Sequence, residues 1–369
     1  MVPVILCPYV YPDDVEKVRR AFRLDEPGGR RLQFFFWEDK HRVGPDIAYE
    51  TCWTEFPDRD IIIIHTDMSP LPNDRCNQWY DELLAFAQTM PEAGMLACNL
   101  LYPTKSPDGS WLVQSGGGYI SAEEIGYIGG GVDAESGTVS DMAQTYNEEL
   151  KKIRRVAWVT FGGVYIRRSV LAACGPYDRR YHWAYVRDVD YCFEARARGF
   201  KLFQVPVTLL HSESYTVRRS KLLTPENMAT IHKNHEIFYQ KWRSRPDGQE
   251  LLNEKFDGFS ELHGKAHHLS RILDARTKEM ERLEAETHHL SRILDARTKE
   301  MERLEAEMKG LEAETHHLRQ LVSQLNSTAD SREREINRLR KNLSAVYASS
   351  SWRVTKPIRS IVGAAKRIR

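Results

Sequence analysis

Short apolar runs alternate with charged, amphipathic stretches along the first part of the chain. The runs Val2–Cys7, Leu32–Trp37 and Asp60–Ile64 are almost continuously apolar, which is typical of strands that are buried on both faces of a parallel sheet. Helical stretches lie between them, at 13–22 and 46–56. The pattern predicts an α/β fold in which a mostly parallel sheet carries helices on both faces.

A period of seven residues governs the second part of the chain. The block HHLSRILDARTKEMERLEAE occupies 267–286 and recurs after 21 residues, at 288–307. The positions at alternating spacings of four and three from Leu269 to Val346 are mostly apolar, which predicts a coiled coil of about 115 Å. The polar exceptions are Arg276, Thr287, Arg297, Thr315 and Arg332, which weaken the seam or fix its register. We expect a homo-oligomer, either dimer or trimer. The paired histidines of this region fall at outward heptad positions, which favours solvated side chains over metal ligands.

The composition divides the chain into four parts. We expect a globular domain over 1–245, a linker over 246–266, the coiled coil over 267–346 and a basic tail over 347–369. A formal net charge of +1 predicts no nucleic-acid partner. Six cysteines without CxxC spacing, and no leader pattern at the start, indicate reduced thiols in the cytoplasm. No apolar run reaches the length of about 18 residues that spans a bilayer.

Polar side chains follow the first three predicted strands. Tyr9 follows the first, Glu38 and Asp39 end the second, and His65 and Asp67 follow the third. Since ligands bind at the carboxyl ends of parallel strands, these residues predict one crevice. A nucleoside diphosphate fits such a crevice, with a divalent cation held by Asp67 and by His65 or a distant histidine. Residues 104–150, which contain two glycine triplets, are predicted as a loop-rich insertion or lid.

A second polar constellation lies in the stretch YHWAYVRDVDYC, at 181–192. Asp188 and Asp190 stand two residues apart beside Arg187. Acid–base chemistry, metal binding and a solvated turn are all compatible with the stretch alone. Further on, His211 follows the apolar run Val207–Leu210.

The order of these motifs resembles the family 2 glycosyltransferases, which have the GT-A fold. The resemblance covers about residues 2–240 and rests on the ordered set of motifs. These are Pro8-Tyr9, IIIIHTDMSPLP at 61–72, Gly162-Gly163, Gly175-Pro176-Tyr177-Asp178, Asp188-Val189-Asp190, Gly199, Pro206 and His211.

The resemblance implies a role for each of these positions. Asp67 would bind Mn²⁺ or Mg²⁺ and through it the diphosphate of a nucleotide-sugar donor, with His211 as a second contact. Asp188 would be the general base of an inverting transfer, and Asp190 would brace the first turn of its helix. Nucleotide contacts would come from Tyr9, His65 and Asp39, with Glu38 as a rival to Asp39. The sugar pocket would include the following residues: Gly162, Gly163, Trp183, Arg187 and Asp190.

Three departures from the family pattern leave an alternative open. Arg187 stands where the family has glutamate, His65 replaces aspartate or asparagine, and Glu194 stands where arginine is common. We expect Arg187 to lower the pKa of Asp188 and make it a weaker base. The alternative to an enzyme is a catalytically degenerate scaffold that oligomerises and recruits polysaccharide-assembly enzymes.

The tail resembles an SWRxTxPxR ending that follows coiled coils in bacterial surface-polysaccharide enzymes such as those of O-antigen synthesis. It contains Trp352, Arg353, Lys356 and Arg359, and its apolar residues from Ile358 onward fall on one helical face. A basic amphipathic helix predicts attachment to an anionic membrane surface; a disordered basic tail is the alternative. The resemblance implies a lipid-linked glycan acceptor and a peripheral position on the inner face of the cytoplasmic membrane.

Overall fold

The structure is a computed structural model that describes residues 2–26, 32–41, 44–120, 124–130, 144–182, 185–212, 219, 224–256 and 258–366. The chain divides into two compact units, Met1–Leu273 and Asp274–Arg369. Each unit is described by itself.

Eleven strands are found among the described residues. They are β1 (Val4–Tyr9), β2 (Phe34–Glu38), β3 (Ile61–Ile63), β4 (Met68–Ser69), β5 (Ala93–Lys105), β6 (Trp111–Ser115), β7 (Gly118–Ile120), β8 (Ile125–Tyr127), β9 (Arg154–Arg155), β10 (Val164–Ile166) and β11 (Lys201–His211). The helices of the first unit are α1 (Pro12–Ala21), α2 (Asp46–Glu55), α3 (Gln78–Thr89), α4 (Arg168–Cys174), α5 (Arg187–Ala197), α6 (Pro225–Ser244) and α7 (Gly248–Asn253).

The central sheet has the strand order β2-β1-β3-β10-β5-β11-β4, with β6 beside β5 and β9 beside β11. The pairings give β2, β1, β3, β5 and β11 one common direction, whereas β10 runs against both of its neighbours. The predicted α/β class with a mostly parallel sheet is therefore confirmed.

Alternate residues of the strands enter two separate cores, as the two-residue period of a strand requires. Ile5 and Ile62 pack with helices α1 and α3 on one face, and Leu6 and Ile63 pack with α2, α4, α5 and α6 on the other. All four side chains are completely buried. Burial on both faces explains why these strands are continuous apolar runs.

Two predicted segments differ from the structure. The run Val207–Leu210 is the end of one long strand, β11, whose register against β5 shifts between Val205 and Thr208. The region 104–150, predicted as loop-rich, contains strands β6, β7 and β8 among its described residues. The first difference arises from pairing with a strand far away in the sequence, whereas β6, β7 and β8 pair with strands close by.

The second unit is dominated by the helix α8 (Gly258–Ala348), which begins in the first unit, and is followed by α9 (Ser350–Val354) and α10 (Lys356–Lys366). The predicted long C-terminal helix is confirmed. Its heptad a and d residues are exposed, with Leu273 66% and Leu294 68% accessible. No helix in the described part of the chain is both long enough and apolar enough to cross a membrane.

Candidate functional site

The first strand ends meet as the parallel pairing requires. Tyr9 at the end of β1 lies opposite Glu38 at the end of β2, and the N–H of Asp39 donates to the carbonyl oxygen of Tyr9 at 2.7 Å. Asp39 is buried, and its carboxylate accepts from the N–H of Gly44 at 2.9 Å. The Glu38 carboxylate is more accessible and lies 3.7 Å from Lys40 Nζ. Contact of either residue with a nucleobase stays a prediction.

A cluster of three possible metal ligands forms where β3 and β11 end. His65 and Asp67 follow β3, and β4 pairs antiparallel with the end of β11 so that Met68 lies opposite His211. The N–H of Ser212 donates to the carbonyl oxygen of Asp67 at 3.0 Å. This pairing brings the candidate ligand atoms of His65, Asp67 and His211 to within 4.8 Å of one another. We call these three residues the ligand trio.

Hydrogen bonds orient the trio. His211 Nε2 lies 3.2 Å from Asp67 Oδ1, and His211 Nδ1 lies 3.2 Å from Gln114 Oε1. The ring centroids of His65 and His211 are 5.8 Å apart. The two ring nitrogens of His211 therefore have separate partners, one of which is the carboxylate of the trio.

The electrostatics of the trio keep its carboxylate charged and one imidazole neutral. Burial, together with the nearby His211, lowers the pKa of His65 to about 4. Burial alone would raise the pKa of Asp67, but His211 and His65 outweigh it and hold that pKa well below its usual range. Metal ligands must be deprotonated to bind, so both groups are in the binding form at neutral pH.

The donor set fits a divalent cation, with one carboxylate and two imidazoles converging on one point. Mg²⁺ takes oxygen ligands, whereas imidazole nitrogen suits transition-metal ions. The trio thus favours Mn²⁺ over Mg²⁺ among the two predicted cations.

Gln114 is a site residue that the sequence analysis missed. It is buried, with 5% of its surface exposed, and it lies in β6, within the region predicted as loop. A lone glutamine in a strand carries no sequence signal, and only the fold brings it to His211.

Asp188 lies in the first turn of α5, after two residues with unusual backbone geometry. Tyr185 and Val186 have φ angles of 65° and 71°, which is uncommon for residues with side chains and above all for β-branched valine. The side-chain amide of Asn234 in α6 forms two hydrogen bonds with the backbone of His182. Asn234 Oδ1 accepts from the N–H of His182 at 3.3 Å, and Asn234 Nδ2 donates to the carbonyl oxygen of His182 at 2.9 Å. The start of α5 is thus held in place from a neighbouring helix.

The pKa of Asp188 is raised to about 6, because its burial outweighs the lowering by backbone N–H groups and by Arg187. The N–H of Val189 donates to its carboxylate at 3.0 Å. The guanidinium of Arg187 instead forms a buried ion pair with Asp46 at the start of α2. Arg187 does lower the pKa of Asp188, as expected, but burial outweighs this effect and the net shift of that pKa is upward.

Phe161 and Gly162 connect Asp188 with the ligand trio. The Phe161 N–H donates to the Asp188 carboxylate, and a Cβ atom on Gly162 would lie 3.4 Å from His65 Nδ1. Gly163 has a φ of +65°, and its N–H donates to the carbonyl oxygen of Ile63 at 2.8 Å. The predicted glycine pair thus lies between the candidate base and the candidate cation site.

One predicted pocket residue, Asp190, does not join this arrangement. Asp190 is 3% exposed, and its carboxylate accepts from Trp242 Nε1 at 2.8 Å and from Lys241 Nζ at 2.7 Å. These bonds attach α5 to α6. Asp190 therefore has a structural role, and its predicted place in a sugar pocket is corrected. Trp183 lies outside the described residues.

The tail residues form a contact of their own in the second unit. The Trp352 ring packs against Tyr347 at 5.0 Å between centroids, and the Arg359 guanidinium lies 3.5 Å above the Trp352 ring. Arg353 and Lys356 are exposed. The indole is therefore half-covered, and Val354 and Ile358 are the more exposed apolar side chains, at 75% and 62%.

No family model and no curated protein matches the chain. A solved structure described as GalNAc-T7 with UDP, GalNAc and Mn2+ superposes on 57% of the chain with a TM-score of 0.39 and 13% sequence identity, and the chain spans 44% of its length. A second, A197 from STIV, superposes on 57% of the chain with a TM-score of 0.31 and 13% identity, over 85% of its own length. Likenesses this remote carry no conclusion about activity.

Proposed function

We propose that residues 1–245 form a GT-A-type glycosyltransferase that moves a sugar from a nucleoside-diphosphate donor to a lipid-linked glycan, with inversion at the anomeric carbon. One observation carries the proposal: the Phe161 N–H donates to the Asp188 carboxylate, and the next residue, Gly162, lies so near the ligand trio that an added Cβ would be 3.4 Å from His65 Nδ1. Such a transfer needs a base for the acceptor and a positive charge for the leaving diphosphate, and this segment joins the two.

The ligand trio is the donor side of the proposed site. Mn²⁺ bound there would neutralise the charge that develops on the diphosphate as it leaves. Asp67 would supply the anionic ligand, and His65 and His211 the neutral nitrogens. Tyr9, with Asp39 or Glu38, would bind the nucleoside, because the same sheet edge brings them together.

Asp188 is the proposed general base. Its carboxylate takes the proton of the acceptor hydroxyl while the hydroxyl oxygen forms a bond to the anomeric carbon. The bond from that carbon to the phosphate oxygen breaks at the same time, and the diphosphate leaves with the electron pair. A base works best when its pKa is near the working pH, and the pKa of Asp188, about 6, suits a reaction at neutral pH. We also propose that Arg187 is compatible with an active site, because its guanidinium is paired with Asp46.

The coiled coil is proposed to join copies of this chain. Heptad leucines along α8 are 49% to 68% exposed, for instance Leu273 and Leu294. A seam of this kind is buried against an identical seam in a second chain. In a parallel, in-register pair of helices, each g position of one chain faces the following e position of the other. Glu314 and Arg319 occupy such a pair of positions, and so do Glu335 and Arg340.

The tail is proposed to bind the anionic inner face of the cytoplasmic membrane. Arg353 and Lys356 are exposed, and Val354 and Ile358 offer apolar surface beside them. Basic side chains near an anionic surface contribute on the order of 1 kcal/mol each. Such attachment would keep the enzyme near a lipid-linked acceptor.

A panel of nucleotide sugars tests the proposed activity. The full chain is incubated with each donor, with and without Mn²⁺, and release of the nucleoside diphosphate is measured. We expect one donor to be consumed in a Mn²⁺-dependent manner, and Asp188→Asn to lose transfer to an acceptor while still binding the donor. A chain that binds no donor and consumes none, with either cation, supports the scaffold alternative. Full transfer activity of Asp188→Asn would remove Asp188 as the base.

A further inference from the structure

Gln114 reaches His211 because the backbone of β6 is irregular at that residue. The neighbouring residues Leu100 and Leu101 of β5 pair with Ser115 and Val113, which leaves Gln114 as an extra residue between the two pairs. This arrangement is a β-bulge. Bulges change the direction in which a side chain points and are frequent beside functional sites.

A glycine supports the bulge from the other side. A Cβ atom on Gly129 would lie 2.2 Å from the carbonyl oxygen of Gln114, and the φ of Gly129 is +153°. Only a residue without a side chain allows this approach. The N–H of Gly130 donates to the carbonyl oxygen of Val113 at 3.0 Å, and the hydroxyl of Tyr102 donates to the carbonyl oxygen of Gly130 at 2.6 Å. The close approach to Gln114 thus explains why position 129 of the glycine triplet at 129–131 is a glycine.

The contact between Gln114 and His211 determines which ring nitrogen would bind a cation. Gln114 Oε1 is an acceptor, so the His211 Nδ1 that faces it at 3.2 Å carries a proton. With a cation bound, the ring would be neutral and its lone pair would be on Nε2, the atom that in this structure lies 3.2 Å from Asp67 Oδ1 as a hydrogen-bond partner. Metal-bound histidines generally donate the other ring N–H to a fixed acceptor, which sets the tautomer and the ring orientation.

We propose that Gln114 is a positioning residue that fixes His211 with Nε2 directed at the ligand trio and thereby sets the affinity of the trio for a divalent cation. The inference rests on the proposed function, since it requires the trio to bind a cation. It adds a residue from outside the motifs and explains both the bulge at Gln114 and the close approach of Gly129.

Binding of Mn²⁺ to the full chain tests this role without any substrate. Free Mn²⁺ is followed by electron paramagnetic resonance during titration of wild type, Gln114→Leu, Gln114→Asn and Gln114→Glu. Leucine has no acceptor and asparagine is too short, so both are expected to raise the dissociation constant about 10- to 100-fold. Glutamate keeps an acceptor oxygen at the same reach, so its affinity is expected to stay close to that of wild type.

Gln204→Leu is the matched control, because Gln204 is an equally buried glutamine on β11, the strand that ends in His211. It is expected to bind Mn²⁺ like wild type, and circular dichroism checks that every variant is folded. Wild-type affinity in both Gln114→Leu and Gln114→Asn would overturn the role of Gln114 and leave the proposed function intact. A wild-type chain that binds no Mn²⁺ would overturn the cation site itself, and the role of Gln114 with it.

Discussion

His211 Nε2 lies 3.2 Å from Asp67 Oδ1, although Asp67 follows β3 and His211 ends β11, a strand that is distant in the sequence. The short strand β4 makes this contact possible, since its pairing with the end of β11 places Met68 opposite His211. The N–H of Ser212 fixes the backbone of Asp67 on the same side. The proposed cation site is thus built on paired backbone, which gives it the rigidity that metal geometry requires.

Asp67→Asn is expected to abolish tight Mn²⁺ binding, because the amide removes the only anionic ligand of the trio. Isothermal titration with Mn²⁺ should show a loss of about 100-fold or more in affinity. Mutation of a residue that only supports a metal ligand already costs about 10- to 100-fold, and loss of a ligand should cost at least as much. Asp58→Asn is the control, an exposed aspartate in the same unit. Unchanged Mn²⁺ affinity in Asp67→Asn would exclude Asp67 as a ligand.

Transfer activity is expected to fall as the pH drops through about 6. Burial raises the pKa of Asp188 to about 6, and a base acts only when it is deprotonated, so activity is present above this pKa and lost below it. The measurement is kcat/KM against pH at saturating Mn²⁺. Asp188→Asn, whose activity is expected to be about 10²- to 10⁴-fold lower, should show no such acid limb. An acid limb that persists in the pH profile of Asp188→Asn would show that a group other than Asp188 causes it.

The ion pair between Arg187 and Asp46 is expected to be important for stability. Both side chains are buried, at 8% and 16% exposure, and removal of one partner leaves a buried charge without compensation. Asp46→Ala is expected to lower the free energy of unfolding by about 3–5 kcal/mol, measured by urea denaturation. Adding Arg187→Met should recover much of the loss. Glu148→Ala, which breaks the exposed pair with Lys151, is the control and is expected to have little effect.

The sequence predicts the sheet better than it predicts the site. Continuous apolar runs such as Asp60–Ile64 define strands because burial on both faces leaves no room for polar residues. The contacts of Gln114, Asp46 and Asp190 depend instead on which elements pack together, and local sequence does not contain that information. The position of Asp67 beside His211 was predicted from the order of family motifs, whereas spacing alone does not bring them together.

Membrane attachment is expected to depend on the tail. Deletion of 352–369 should abolish flotation of the protein with liposomes that contain anionic lipids, because it removes the basic side chains and the apolar surface of Val354 and Ile358. A variant with Arg353, Lys356 and Arg359 changed to alanine separates the two contributions: it should lose the preference for anionic over neutral liposomes. Undiminished flotation of the deletion variant would rule out the tail as the anchor.

Deletion of 288–308, one copy of the 21-residue block, is expected to preserve the oligomer and to change the product. Twenty-one residues are three heptads, so the deletion keeps the apolar seam of α8 in register while shortening the helix by about 30 Å. Deletion of 288–296 removes nine residues and moves the following seam to another face of the helix, so it should weaken the oligomer in sedimentation experiments. If rod length governs how far the glycan grows, gels of the product should show a shifted length distribution for the 21-residue deletion. An unchanged distribution with an intact oligomer would restrict the coiled coil to assembly.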